Sequence, residues 1–141
     1  MGRRGLPAAP ARFVLLAALA LSLSGCMFMS GGQVSSDVLP DGGNISAAFV
    51  GADGRQEQTL DTGAAGATLS AIVIVQAERG ELQVELINDD GSTALVVKGR
   101  PSESVSRSGS VRTDAQGRLR YRVTAVGARN GGYQVLYQRA G

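Results

Sequence analysis

Thr68-Leu69-Ser70-Ala71-Ile72-Val73-Ile74-Val75-Gln76-Ala77, continued after Glu78-Arg79-Gly80 by Glu81-Leu82-Gln83-Val84-Glu85-Leu86, decides the fold class of this chain. Leu69, Ala71, Val73 and Val75 alternate, and then Leu82, Val84 and Leu86 do. A period of two belongs to a strand with one buried face, whereas a helix would repeat its apolar residues every three or four positions. Ile72 and Ile74 make the opposite face apolar as well, which fits either a strand covered on both sides or one at a partner interface. The β-branched run is the strongest in the chain and lies mid-sequence, favouring the covered strand. The stretch does not suit a membrane span, because it is short, includes Ser70 and Gln76, and runs straight into a turn signal.

The same alternation extends outward in both directions. Ile45, Ala47 and Phe49 precede it, and Leu119, Tyr121, Val123 and Ala125 follow, then Tyr133, Val135 and Tyr137. Asp53-Gly54, Glu78-Arg79-Gly80, Asp89-Asp90-Gly91, Ala115-Gln116-Gly117 and Asn130-Gly131-Gly132 punctuate the runs and supply the positive backbone torsions that tight hairpins need. No stretch beyond the N-terminal apolar run keeps a helical stripe for three turns. Residues 45–141 are therefore expected to form one small all-β domain, an antiparallel β-sandwich of seven or eight short strands with an aliphatic core.

Before that domain, Arg3, Arg4 and Arg12 form a basic segment, and Phe13–Leu23 is an apolar run too short to cross a hydrocarbon core of about 30 Å. Leu23-Ser24-Gly25-Cys26 then resembles a bacterial lipobox, with an aliphatic residue, two small residues and the only cysteine of the chain. The resemblance implies a lipoprotein signal peptide over 1–25, cleavage between Gly25 and Cys26, and a lipid on the Cys26 thiol. Residues 26–44 contain Ser30-Gly31-Gly32, Pro40 and Asp41-Gly42-Gly43 and are expected to be a flexible tether, about 20 to 25 Å end to end.

Cleavage would change the charge balance. Three of the fourteen basic residues precede Cys26 and all twelve acidic residues follow it, leaving eleven basic against twelve acidic. The mature chain is nearly neutral, which argues against a nucleic-acid partner. A lipidated Cys26 leaves no thiol for a disulfide, a metal or a nucleophile.

Across Gln56 to Gln138, the succession Gln58-Thr59-Leu60-Asp61, Gly66-Ala67-Thr68-Leu69, Glu81-Leu82-Gln83-Val84-Glu85-Leu86, Asn88-Asp89-Asp90-Gly91-Ser92, Leu119-Arg120-Tyr121-Arg122-Val123 and Gly132-Tyr133-Gln134-Val135 resembles the bacterial pre-peptidase C-terminal type of jelly-roll sandwich. That resemblance implies a non-catalytic accessory or binding module; some members bind calcium or polysaccharide. Calcium takes six to eight oxygens, and Asn88, Asp89 and Asp90 are explained by a hairpin turn without metal, so no cofactor or metal is expected.

The chain has no histidine, which removes Ser-His-Asp and Cys-His arrangements, the usual zinc sites and the common base near neutral pH. Nucleophile-elbow, P-loop and dinucleotide motifs are missing too. Glu81 and Glu85 share a strand face but stand about 13 Å apart at the backbone, long for a glycosidase pair. Arg118, Arg120 and Arg122 alternate with Leu119, Tyr121 and Val123, so three guanidinium groups leave one face. They are candidates for contact with an anion or an acidic partner; pairing with Glu81 and Glu85 across strands is the plainer expectation. With no Trp, and with its tyrosines on core parity, the domain lacks an obvious sugar-stacking platform. These features lead to the expectation of a lipid-anchored, extracytoplasmic β-sandwich, bound to the membrane through Cys26. It would act as a structural or binding module for an envelope protein or polymer. A small hydrolase using carboxylates alone is the alternative. Neither oligomeric state nor choice of membrane is fixed by the sequence.

Overall fold

The alternating runs form strands because every second side chain can enter a common core. A computed structural model describes residues 26–140, so the expected signal peptide over 1–25 lies outside the described residues. Seven strands follow in order: β1 Phe28–Ser30, β2 Gln33–Leu39, β3 Gly42–Asp61, β4 Thr68–Ile87, β5 Thr93–Lys98, β6 Ser104–Arg112 and β7 Arg118–Arg139. All the ladders are antiparallel. β7 lies between β3 and β4 and pairs with both along nearly its whole length.

β3, β4 and β7 are much longer than the short strands expected, at 20, 20 and 22 residues. Each bends once, where the register shifts between Ala52 and Gly54 on β3 and between Arg79 and Glu81 on β4. One glycine with positive φ marks the bend in each strand: Gly54, Gly80 and Gly127. Three of the five expected turns, Asp53-Gly54, Glu78-Arg79-Gly80 and Asn130-Gly131-Gly132, are thus within strands and not hairpins. A single left-handed residue makes a bulge that bends a strand while the ladder resumes beyond it. Asp89-Asp90-Gly91 and Ala115-Gln116-Gly117 do connect strands, as expected.

The shared bend folds the sheet into two facing layers. The first runs β2, the first half of β3, the second half of β7, the first half of β4, and β6; the second runs the second half of β3, the first half of β7, the second half of β4, and β5. This interleaving is the strand order of a jelly-roll sandwich. The alternating residues read from the sequence fill the space between: Ile45, Phe49, Leu69, Val73, Val75, Leu82, Val84, Leu86, Leu119, Val123 and Val135 are all buried. Tyr121 of one layer meets Tyr133 of the other with ring centroids 6.2 Å apart. At the end opposite the bend, Thr113 closes the sandwich. Its hydroxyl accepts from the Ala67 amide at 2.9 Å and donates to the Ala64 carbonyl at 2.5 Å.

Two expectations need correction. Residues 26–44 are not a coil: β1 pairs with Gly51–Asp53, and β2 pairs with Gly42–Ala48 through a two-residue Pro40-Asp41 turn. Proline presets the turn and Gly42 follows it, a hairpin signal that composition alone had disguised as linker. Met27 and Met29 also pack against the core. Ile72 is not covered from above: β4 is flanked within its layer by β7 and β6, yet Ile72 is 46% exposed, while Ile74 is half-buried.

Candidate functional site

The open outer face of the first layer carries a concavity of about 910 Å³. Strand register builds it. One row across the strands reads Asn44, Leu136, Ile72 and Ser108; its neighbour reads Gly42, Gln138, Ser70 and Ser110. Leu39, Pro40 and Asp41 of the β2–β3 turn form one rim. The floor is apolar at Ile72 and Leu136 and is surrounded by hydroxyls and amides, with Asp41 the sole charged side chain in the lining. Such a surface can hold a neutral chain through hydrogen bonds and a narrow apolar contact. It offers no second carboxylate to share acid-base work across a bond.

Sequence reasoning missed this face. The signal was present in Ser104, Ser106, Ser108 and Ser110, a period-two serine series along β6. Serine is uninformative about burial, so the strand escaped a search for apolar alternation.

The arginine series lies on the outer face of the second layer, as its parity predicts. Arg122 stands directly between Glu57 of β3 and Glu85 of β4. Its guanidinium bonds Glu85 Oε2 at 3.0 Å and Glu57 Oε2 at 3.2 Å, and Arg120 Nη1 lies 3.5 Å from Glu57 Oε1. Arg118 Nε is 3.6 Å from Asp114 Oδ2. Glu85 was an expected partner; Glu57 was not, because the pairing of β3 with β7 joins distant parts of the sequence. Glu81 makes no ion pair among the described residues. The pairs of Arg122 with Glu57 and Glu85 lie across neighbouring strands, where such pairs stabilise by about 0.2–1 kcal/mol, and an incoming anion would have to compete with these carboxylates.

The acidic turns serve the backbone. Asp90 accepts from the Ser92 hydroxyl at 2.6 Å and its amide at 2.9 Å, and these bonds hold its carboxyl below the usual range. The Arg118 amide does the same for Asp114. Among the described residues, no three His, Cys, Asp or Glu side chains converge as a metal site.

Cys26 is exposed and sits at the bend. Its carbonyl lies so close to Gly54 that a Cβ there would come within 2.9 Å of it. The tyrosines at 121, 133 and 137 are buried, and burial raises the pKa of each phenol.

No family model and no curated protein matches the sequence. Among solved structures the chain is similar to a carbohydrate-binding module of a Cellvibrio mixtus lichenase in complex with cellotriose, at 10% identity over 83% of this chain and 98% of that one, with a TM-score of 0.42. A xylan-binding domain from Paenibacillus barcinonensis aligns at 12% identity over 82% and 87% of the two chains, TM-score 0.39. Peruvianin-I, a cysteine peptidase from Thevetia peruviana latex, aligns at 14% identity over 77% and 62%, TM-score 0.40. Likeness at this level concerns the path of the chain and assigns no function.

Proposed function

We propose that this protein is a non-catalytic binding module of a bacterial envelope, extracytoplasmic and anchored by a lipid on Cys26, that holds a neutral segment of an envelope polymer or protein in the groove of its first layer. The observation that carries the reading is the composition of that groove: about 910 Å³ lined by serines, Asn44, Gln138, Ile72 and Leu136, with one carboxylate at the rim. Glycoside hydrolysis by carboxylates alone ordinarily uses two acidic groups flanking the scissile bond, and this lining supplies one. The lipobox resemblance supports the anchor, and the pairing of β1 with β3 fixes where Cys26 sits on the domain. Cys26 begins at the bend, and Asn44 lies ten residues along β3 from Gly54, about 33 Å away at strand rise. The groove therefore lies at the end of the sandwich far from the anchor.

Two measurements test this. Cys26→Ala should abolish incorporation of labelled lipid and release the domain from membranes; retained labelling would sink the anchor. A photo-crosslinking residue at Ile72 should capture an envelope component, while the same residue at Val96, exposed on the second layer, should not. Equal capture from both positions, or none from Ile72, would remove the groove as the binding face.

A further inference from the structure

β2 is an edge strand of a particular kind. It runs seven residues without a bulge against β3, and every residue in it is exposed. Val34 and Val38 lie opposite Ala47 and Gly43, on the side of the sheet that faces the core, yet they are 59% and 57% exposed. The second layer ends at the second half of β3, with no strand beneath β2 among the described residues. β2 therefore presents both an unpaired row of backbone amides and carbonyls and an uncovered apolar face.

Free edges are ordinarily guarded by charges, proline or bulges. Three other free edges carry cations: the second half of β3 has Arg55, with Glu57 and Asp61, β5 ends in Lys98, and β6 has Arg107 at its middle. Gln33-Val34-Ser35-Ser36-Asp37-Val38-Leu39 has no cation and no proline.

We infer that β2 pairs antiparallel with β2 of a second copy of this chain, about a two-fold axis through Ser36, extending the first layer of each sandwich into one continuous sheet. The sequence of β2 is complementary to itself in that register. Val34 meets Val38 of the second copy and Val38 meets Val34, so four valines gather on the uncovered face. Asp37, the only charge, meets Ser35. Sliding the copies by two residues one way places Asp37 against Asp37, and sliding them the other way leaves Val38 without a partner strand. Only the central register joins both valine pairs with no like-charge contact. The interface is isologous and closes at two copies. Two short strands bury less than the roughly 1,200 Å² of a standard interface, so the dimer in solution is weak and concentration-dependent.

The test uses the full chain carrying Cys26→Ser, which removes the only native thiol and makes the experiment independent of the anchor. Ser36→Cys in that background places two thiols across the axis and should give a disulfide-linked dimer under mild oxidation. Ser106→Cys, on the opposite edge strand β6, should remain monomeric. Adding Val34→Lys to the Ser36→Cys chain inserts the missing guard at an exposed position and should cut the linked yield by ~10-fold or more. Crosslinking of Ser36→Cys no faster than that of Ser106→Cys, or a yield indifferent to Val34→Lys, would overturn the proposal.

Discussion

Replacing Gly80 with alanine should damage the domain far more than the same change at Gly91, although both glycines have nearly the same backbone torsion, φ +78° and +88°. For an alanine, left-handed geometry costs about 1–2 kcal/mol, and this applies at both sites. At Gly91 a Cβ meets nothing within 4 Å. At Gly80 it overlaps the Gly127 carbonyl and comes within 2.7 Å of the Ala128 nitrogen. These are main-chain atoms at the bend of β7 and have no rotamer to escape into. Overpacking of that kind adds about 1–3 kcal/mol. We expect Gly91→Ala to cost about 1 kcal/mol and Gly80→Ala about 3 kcal/mol or more. With a urea slope of about 1–3 kcal/mol/M, the midpoint of Gly80→Ala should fall at least ~1 M below wild type, with Gly91→Ala moving much less. Urea unfolding followed by far-ultraviolet circular dichroism decides the matter. Equal shifts for the two variants would refute the claim that β4 and β7 are locked together at the bend.

Thr113→Val keeps shape but strips the hydroxyl that serves the Ala67 amide and the Ala64 carbonyl, leaving buried backbone groups unmet; a loss of about 1–3 kcal/mol is expected by the same unfolding assay. Tyr121→Phe should cost about 1 kcal/mol because its hydroxyl donates to Gln58 Oε1 at 2.6 Å, whereas Tyr137→Phe should be neutral or stabilising, since the buried Tyr137 hydroxyl has no partner. Stability should hold through neutral pH and decline above about pH 10. Burial raises the pKa of Tyr121, Tyr133 and Tyr137 above 10.0, so the unfolded chain releases these protons first and alkali favours it. An alkaline melting profile as flat as the neutral one would contradict that assignment.

The core was legible in the sequence because alternation reports burial directly. Leu69, Val73, Leu82, Leu119, Tyr121 and Val135 all face inward as their spacing requires. Strand boundaries were not legible, because a positive-φ glycine has the same appearance in a hairpin and in a bulge; Gly54 and Gly91 differ only in whether the ladder resumes beyond them. Pro40-Asp41-Gly42 held a turn signal, but the strand before it is exposed on both faces, so no apolar period announced it. The groove was invisible for a related reason. Its rows join Asn44 with Leu136 and Ile72 with Ser108, and pairings at such separation depend on β7 lying between β3 and β4, which no local pattern encodes.

That placement of β7 governs how the chain reaches its native state. β3 and β4 share no ladder with each other; each is completed only by β7, which is made after both, and Gly42 near one end of the domain must find Gln138 near the other. Pairings this distant put folding in the millisecond-to-second range typical of all-β domains. A nascent chain ending before Arg118 has two long strands and nothing to insert between them. Until Arg118–Arg139 is available neither layer has the strand that joins its two sides, so the native sandwich forms only after β7 has been made.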